Sequence, residues 1–293
     1  MAMSAFVPAA PEPARVPGPE SAASPFSASY ARLSEVFPGL RVREVAPGGA
    51  PRSGAGWVHA TQLAEGGATL ASFLEWDEAQ LLRDHGLRPR PDVAAGFGLH
   101  RYAWPVCLLI TIPWFLQRRV PRLPAEALSF QPELGELSVR IDEFACLPGD
   151  PAGNGPGARV VPDGEALRAE VRSAVAEHLE PILAGFRPRM RRGARALWGV
   201  ATDEITEGLW YLGHLLGEEQ RAVREAGQLL PGAKAPYAQG AGFRELTGRQ
   251  GESLPTRDRA SCCLFYTLRP EDVCVTCPRM CDADRIERLS ANR

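Results

Sequence analysis

The chain has 293 residues and 45% hydrophobic content, enough for one large domain or two modest ones around a packed core. A formal net charge of −2 excludes a nucleic-acid binder that relies on bulk electrostatics. Lys234 is the only lysine among 33 basic residues, so the abundance of arginine is a compositional bias and not by itself a functional signal.

Residues 1–27 carry Pro8, Pro11, Pro13, Pro17, Pro19 and Pro25 among Ala, Ser and Glu. Such a segment buries too little apolar surface to order itself, and a flexible tail is expected. It lacks a basic start followed by a long apolar run, so it does not read as a signal peptide. Tyr30, Leu33 and Phe37 then fall at helical spacing within Ser29–Phe37, and Pro38-Gly39 stops the helix. Residues 46–56 are a Gly/Pro-rich loop. A second helix is predicted over 68–85, with Leu70, Phe73, Leu74, Leu81 and Leu82 apolar and Gly86 as its stop.

The stretch over 91–119 is the most apolar, with no charge from Ala103 to Leu116. Fourteen uncharged residues interrupted by Pro105 and Pro113 are too few to span a bilayer. One core helix, or two helices meeting at Pro113, is expected. Trp104, Trp114 and Phe115 allow a weak peripheral membrane contact as a secondary expectation. Strands are predicted at Leu128–Phe130 and Leu137–Cys146, the second alternating with a slip at its end. Cys107 and Cys146 lie in apolar surroundings and read as buried packing residues. Residues 147–161 form a Gly/Pro-rich loop.

Asp163 opens a long helix in which Leu167, Val171, Val175, Leu179 and Leu183 are in register, with a bend expected at Pro181. Further helices are predicted over 191–216 and Glu218–Leu229, packing as an antiparallel bundle. The region 231–258 is Gly-rich, Ala260–Leu268 reads as a short strand or extended arm, and Asp282–Leu289 as a closing helix. The fold class is therefore mainly α (α+β): a helical bundle with a small β-hairpin or sheet and a cysteine-rich C-terminal segment. The expected organisation is a tail over 1–27, an N-terminal helical and strand subdomain over 28–150, a bundle over 151–256 and a C-terminal segment over 257–293.

Most motif searches return nothing. The histidines, at 59, 85, 100, 178 and 214, form no H-E-x-x-H or i, i+4 pair and read as surface or satisfied core residues. No G-x-G-x-x-G fingerprint, phosphate loop or G-x-S-x-G elbow occurs. Arg187, Arg189, Arg191, Arg192 and Arg195 form a basic run, read as a solvated helix start or as a docking surface for an acidic electron donor.

The cysteines are the exception. Five of seven lie between positions 262 and 281, in the pattern C-C-x10-C-x2-C with Cys281 four residues on. Thiolates are soft ligands that select zinc and iron–sulfur clusters. Cys274 and Cys277 form a chelating x2 pair, whereas Cys262 and Cys263 converge on one centre only if the backbone turns there. A zinc ribbon would offer two x2 pairs. A [2Fe–2S] cluster, with wider sulfur separations, suits the irregular pattern better, although the spacing differs from that of plant-type ferredoxins. Structural zinc and a vicinal Cys262–Cys263 disulfide remain the alternatives.

Cys-Cys-Leu-Phe-Tyr, ten-residue spacing and Cys-Val-Thr-Cys-Pro resemble the C-terminal signature of the FhuF-like ferric-siderophore reductases over about 257–281. The likeness over roughly 90–250 is loose, and it does not reach the first 50 residues. The resemblance implies that Cys262, Cys263, Cys274 and Cys277 ligate a [2Fe–2S] cluster. Cys281 is an extra thiol, one helical turn beyond Cys277 if a helix starts after Pro278. Arg257 and Arg259 would stand near the cluster or the substrate mouth and raise its potential. The implied activity is one-electron reduction of siderophore-bound Fe³⁺ to release Fe²⁺ in the cytoplasm. The substrate would be of hydroxamate type, the electron donor a protein such as a ferredoxin, and no nucleic acid is involved. A zinc-stabilised binding protein and a [2Fe–2S] carrier or sensor without siderophore activity are the competing expectations.

Overall fold

The computed structural model describes residues 24–54, 56–271 and 273–291. The predicted tail lies almost wholly outside these. The chain is mainly helical with small sheets, as its patterning predicts.

The helix α1 (Ser27–Val36) leads into the strand β1 (Arg41–Val45). A two-residue strand β2 (Val58–His59) and the short helix α2 (Ala60–Ala64) follow, then α3 (Ala68–His85). The stop of α3 is Gly86 in the left-handed conformation, its N–H bonding Leu82 O, as glycine permits without steric cost.

The helix α4 (Pro91–Gln117) is the axis of the molecule. It is one continuous helix and does not divide at Pro113. Proline at 113 removes the amide that would bond the carbonyl of Leu109. That carbonyl instead accepts a hydrogen bond from the Tyr30 hydroxyl at 3.0 Å, so α1 satisfies what the proline leaves open. By length and composition α4 could cross a membrane, but 78% of its most apolar window is buried inside the protein. Trp104, Trp114 and Phe115 are all buried, which removes them from any peripheral membrane contact.

Past α4 the chain makes β3 (Arg119–Pro121), β4 (Leu128–Gln131), β5 (Glu136–Arg140), β6 (Phe144–Cys146) and β7 (Ala158–Val160). The single strand expected over Leu137–Cys146 is in fact two, because the chain leaves one sheet at Ile141–Glu143 and enters another. The slip in alternation at Asp142-Glu143 marks that crossing. One sheet has the order β1-β5-β4-β2, with β1 parallel to β5 and the rest antiparallel; the other has the order β3-β6-β7. The strand β7 lies inside the loop predicted over 147–161.

The bundle is α5 (Gly164–Phe186), α6 (Ala194–Leu215) and α7 (Glu219–Leu229). Asp163 caps α5, its side chain accepting from Ala166 N at 2.8 Å. The helix α6 begins after Gly193, three residues later than expected. The Gly-rich stretch that follows holds an unpredicted hairpin, β8 (Phe243–Thr247) and β9 (Ser253–Arg257). The closing helix is α8 (Asp282–Ala291). One apolar core draws buried residues from Phe26 to Ala241, with α4 packed against α1, α3, α5 and α6. The cysteine segment is built outside this core, against one side of α6.

Candidate metal centre

Two arms carry the cysteines. The first follows β9 and is fastened to α6 before Cys262 is reached. Asp203 on α6 is fully buried and accepts from the backbone N–H groups of Ala260 at 2.9 Å and Ser261 at 2.8 Å. It also receives Nη2 of Arg257, whose Nη1 bonds Glu207 at 2.6 Å. Gly199, one turn earlier on α6, lets the arm approach: a Cβ there would stand 2.9 Å from Ala260 O. From the other side Arg192 Nη1 donates to Ser261 Oγ at 2.7 Å, and Nη2 to the carbonyl of Cys262.

Directly after the vicinal cysteines Leu264 adopts φ 63°, a left-handed conformation that costs a non-glycine residue about 1–2 kcal/mol. This is the backbone turn that adjacent cysteines need to face one centre. A 3₁₀ turn over Phe265–Thr267 follows, so the strand or extended arm expected over Ala260–Leu268 is not formed. The left-handed turn also lets Leu264 N–H point back at Cys262 Sγ, at 3.4 Å.

The second arm carries Cys274 and Cys277 and is held by α8. Arg285 is buried and donates Nη2 to Cys277 O at 3.0 Å and Nη1 to Asp258 at 2.7 Å. Arg288 donates to Val273 O at 2.7 Å. Arg279 lies over the Tyr266 ring, 4.3 Å from its centroid, tying the two arms together.

The four thiols act on one another. The Cys274 thiol donates to the Cys263 sulfur, which holds Cys263 down at about 6 and pushes Cys274 well above the usual thiol range. Arg259 favours the thiolate at both positions. Cys262 is pushed up by burial and by the charges of Cys263 and Cys277, with Leu264 N–H and Arg192 opposing. Interacting thiols with two cations beside them form a donor set suited to a cationic iron–sulfur core. Among the described residues no three His, Cys, Asp or Glu side chains converge as a single metal ion requires.

Cys281 is exposed, unlike the other four cysteines of the segment. The helix after Pro278 starts only at Asp282, so Cys281 precedes it instead of standing one helical turn above Cys277. Arg257 and Arg259 both pair with Asp203, Arg259 Nε at 3.5 Å, but they differ in what else they meet. Arg257 is fully buried in its pairs with Asp203 and Glu207 and serves as an anchor of the arm. Arg259 reaches the cysteines and lines a cavity beside them. Cys107 and Cys146 are buried, free thiols of the core, as expected.

That cavity has a volume of about 980 Å³ and lies between α4, α6, the residues between α5 and α6, and the two arms. Cys262, Cys263 and Cys274 are in its wall. The same wall has aromatic side chains of α4 and α6, with Phe37, after α1, in edge contact with both Trp104 and Tyr211. His100 of α4 also faces the cavity, its Nδ1 2.8 Å from buried Glu204 of α6. Burial disfavours its imidazolium, but Glu204 outweighs that for a side chain 44% exposed, and its pKa is raised. Nothing in the sequence singles out this pair, whose members are 104 positions apart.

Residues 259–279 match the family model of the FhuF 2Fe-2S C-terminal domain. No curated protein matches the chain. The cysteine arms thus form a segment of the FhuF 2Fe–2S type, and the cofactor is a [2Fe–2S] cluster.

Proposed function

We propose that this protein, an iron–sulfur protein of FhuF type, is a cytoplasmic ferric-siderophore reductase that releases iron by adding one electron to siderophore-bound Fe³⁺. The observation that carries this reading is the placement of three cysteines in the wall of a large cavity. Its volume of about 980 Å³ suits a bulky ligand, standing at the upper end of the ordinary pocket range.

A bound [2Fe–2S] cluster supplies reversible one-electron exchange at a potential set by its surroundings. Cys262, Cys263, Cys274 and Cys277 would hold it. Arg259 and Arg192 offset the negative charge of the four thiolates, which favours the reduced state. Aromatic side chains of α4 and α6 seat the complex and exclude water. Oxygen donors grip Fe³⁺ far more tightly than Fe²⁺, so a single electron loosens the metal without a nucleophile or general base. Four arginines and four glutamates line the cavity among the described residues, and these charges cancel. An uncharged hydroxamate complex suits such a lining better than a strongly anionic one. Electrons would come from a protein donor such as a ferredoxin.

The test begins with anaerobic purification and analysis of iron, zinc and acid-labile sulfide. About two iron and two sulfide per chain are expected, with visible bands that bleach on reduction. Adding a ferric tris-hydroxamate and an Fe²⁺ trap to the reduced protein should restore the bands as trapped Fe²⁺ accumulates. About one zinc per chain with no visible absorption would overturn the reading. A cluster that reoxidises no faster with the complex than without it would leave an electron carrier.

A further inference from the structure

The segment joining α5 to α6 has two faces. Its inner face belongs to the site: Met190 is buried in the cavity wall, and Arg192 grips Ser261 and the carbonyl of Cys262. Its outer face, continued into the first turn of α6, carries Arg187, Arg189, Arg191 and Arg195, all exposed. Among the described residues none of these four guanidinium groups has a hydrogen bond or ion pair. No acidic residue occurs between Glu180 and Asp203 to neutralise them. This sets them apart from most arginines of the molecule, which are engaged by carboxylates or carbonyls. Arg195 lies moreover in the first turn of α6, where a cation opposes the helix dipole. The same turn holds no acidic residue, and Gly193 offers no side-chain cap. A protein of net charge −2 has therefore gathered four positive charges on one short stretch, unpaired among the described residues, at a local cost.

We infer that this outer face is the docking surface for an acidic protein that donates electrons to the cysteine-held centre. The inference rests on the redox reading above and adds where the donor binds. A partner seated there lies on the segment whose Arg192 bonds Ser261 and the Cys262 carbonyl directly. The donor therefore approaches from outside the segment while the ferric complex occupies the cavity inside it, and neither must leave for the other to enter. One electron leaves the reduced donor, which becomes oxidised, and the centre is reduced by one. The same electron later converts Fe³⁺ to Fe²⁺, and no bond is made in the docking step. Four exposed cations also steer an acidic partner to this face, an effect that raises association rates by about 10–1,000-fold at low salt.

The test uses the full chain with its cluster and the variant R187E/R189E/R191E/R195E, which leaves Arg192 in place. Iron content and bleaching by dithionite report whether the centre is intact, and both should match wild type. Binding of an oxidised acidic [2Fe–2S] ferredoxin is measured by surface plasmon resonance, and reduction by the reduced ferredoxin by stopped flow. The variant should bind at least tenfold more weakly and be reduced at least tenfold more slowly at low ionic strength. Wild type should approach the variant as salt is raised. Equal binding and equal reduction rates for the two proteins would overturn the inference. So would a wild type that binds nucleic acid or anionic vesicles through these arginines but not the ferredoxin. Turnover of the ferric complex with dithionite as donor, run on the same samples, keeps the two readings apart. Failure there counts against the reductase, whereas a defect confined to the protein donor identifies the docking face.

Discussion

Asp203→Ala should release the first cysteine arm. In the folded protein this carboxylate is inaccessible to solvent and accepts from two backbone N–H groups, Ala260 and Ser261, and from Arg257, which is equally buried. Alanine leaves both amides without an acceptor and leaves Arg257 with Glu207 and the Ala241 carbonyl only. Breaking a buried charge pair costs about 3–5 kcal/mol. A buried donor that loses a charged acceptor forfeits about 1.5–3 kcal/mol on its own, but these bonds share one carboxylate and do not add. With Glu207 retained, we expect a loss of about 4 kcal/mol, equivalent to roughly 6 °C in Tm for a protein of this size. The arm should also lose its register on α6, so iron per chain should fall with stability. Scanning calorimetry and iron analysis on the purified variant measure both quantities. A variant that melts within about 2 °C of wild type and keeps its full iron would refute the claim that Asp203 positions the cysteines.

The remaining expectations concern the same frame. Gly199→Ala places a methyl group 2.9 Å from Ala260 O and should cost about 1–3 kcal/mol together with part of the bound iron, whereas Gly232→Ala, which meets nothing within 4 Å, should cost less. Cys274→Ser should abolish cluster loading, while Cys107→Ser should leave the visible spectrum intact; equal loss of iron in both would sink the ligand assignment. His178 is buried, donating Nδ1–H to Leu123 O and accepting from the Tyr102 hydroxyl, and burial pushes its pKa down to about 4. The unfolded imidazole binds its proton near pH 6.5, so the folded state binds fewer protons in the interval between. Stability should therefore fall by about 3 kcal/mol as pH drops from 6.5 to 4. The part of that slope due to His178 should be missing in His178→Gln, as denaturant titration at stepped pH would show.

Local chemistry made several features readable without a structure. Gly86 had to end α3, and Asp163 had to begin α5, because glycine tolerates the left-handed stop and a short carboxylate reaches the third amide beyond it. The thiol pattern announced its own cofactor class because soft, ionisable ligands at close spacing have few other uses. Even the turn after Cys263 could be anticipated, since adjacent side chains cannot otherwise face one centre. Local patterning failed where a distant partner decided the outcome. Pro113 argued for a break in α4, yet Tyr30, 79 positions from Leu109, supplies the missing donor. The alternating run ending at Cys146 looked like one strand because periodicity does not say which sheet a residue joins.

The sequence by itself determined the soft-donor character of the C-terminal segment, the helical class of the chain and the burial of Cys107 and Cys146, since these follow from residue type and near-neighbour spacing. Only the tertiary structure decided that Arg257 anchors while Arg259 faces the cysteines, that Cys281 stands apart, and that His100 meets Glu204 in a cavity beside the thiols. Those outcomes depend on α4, α6 and the C-terminal arms meeting in space, and contact between residues 50 to 100 positions apart leaves no periodic trace in the chain.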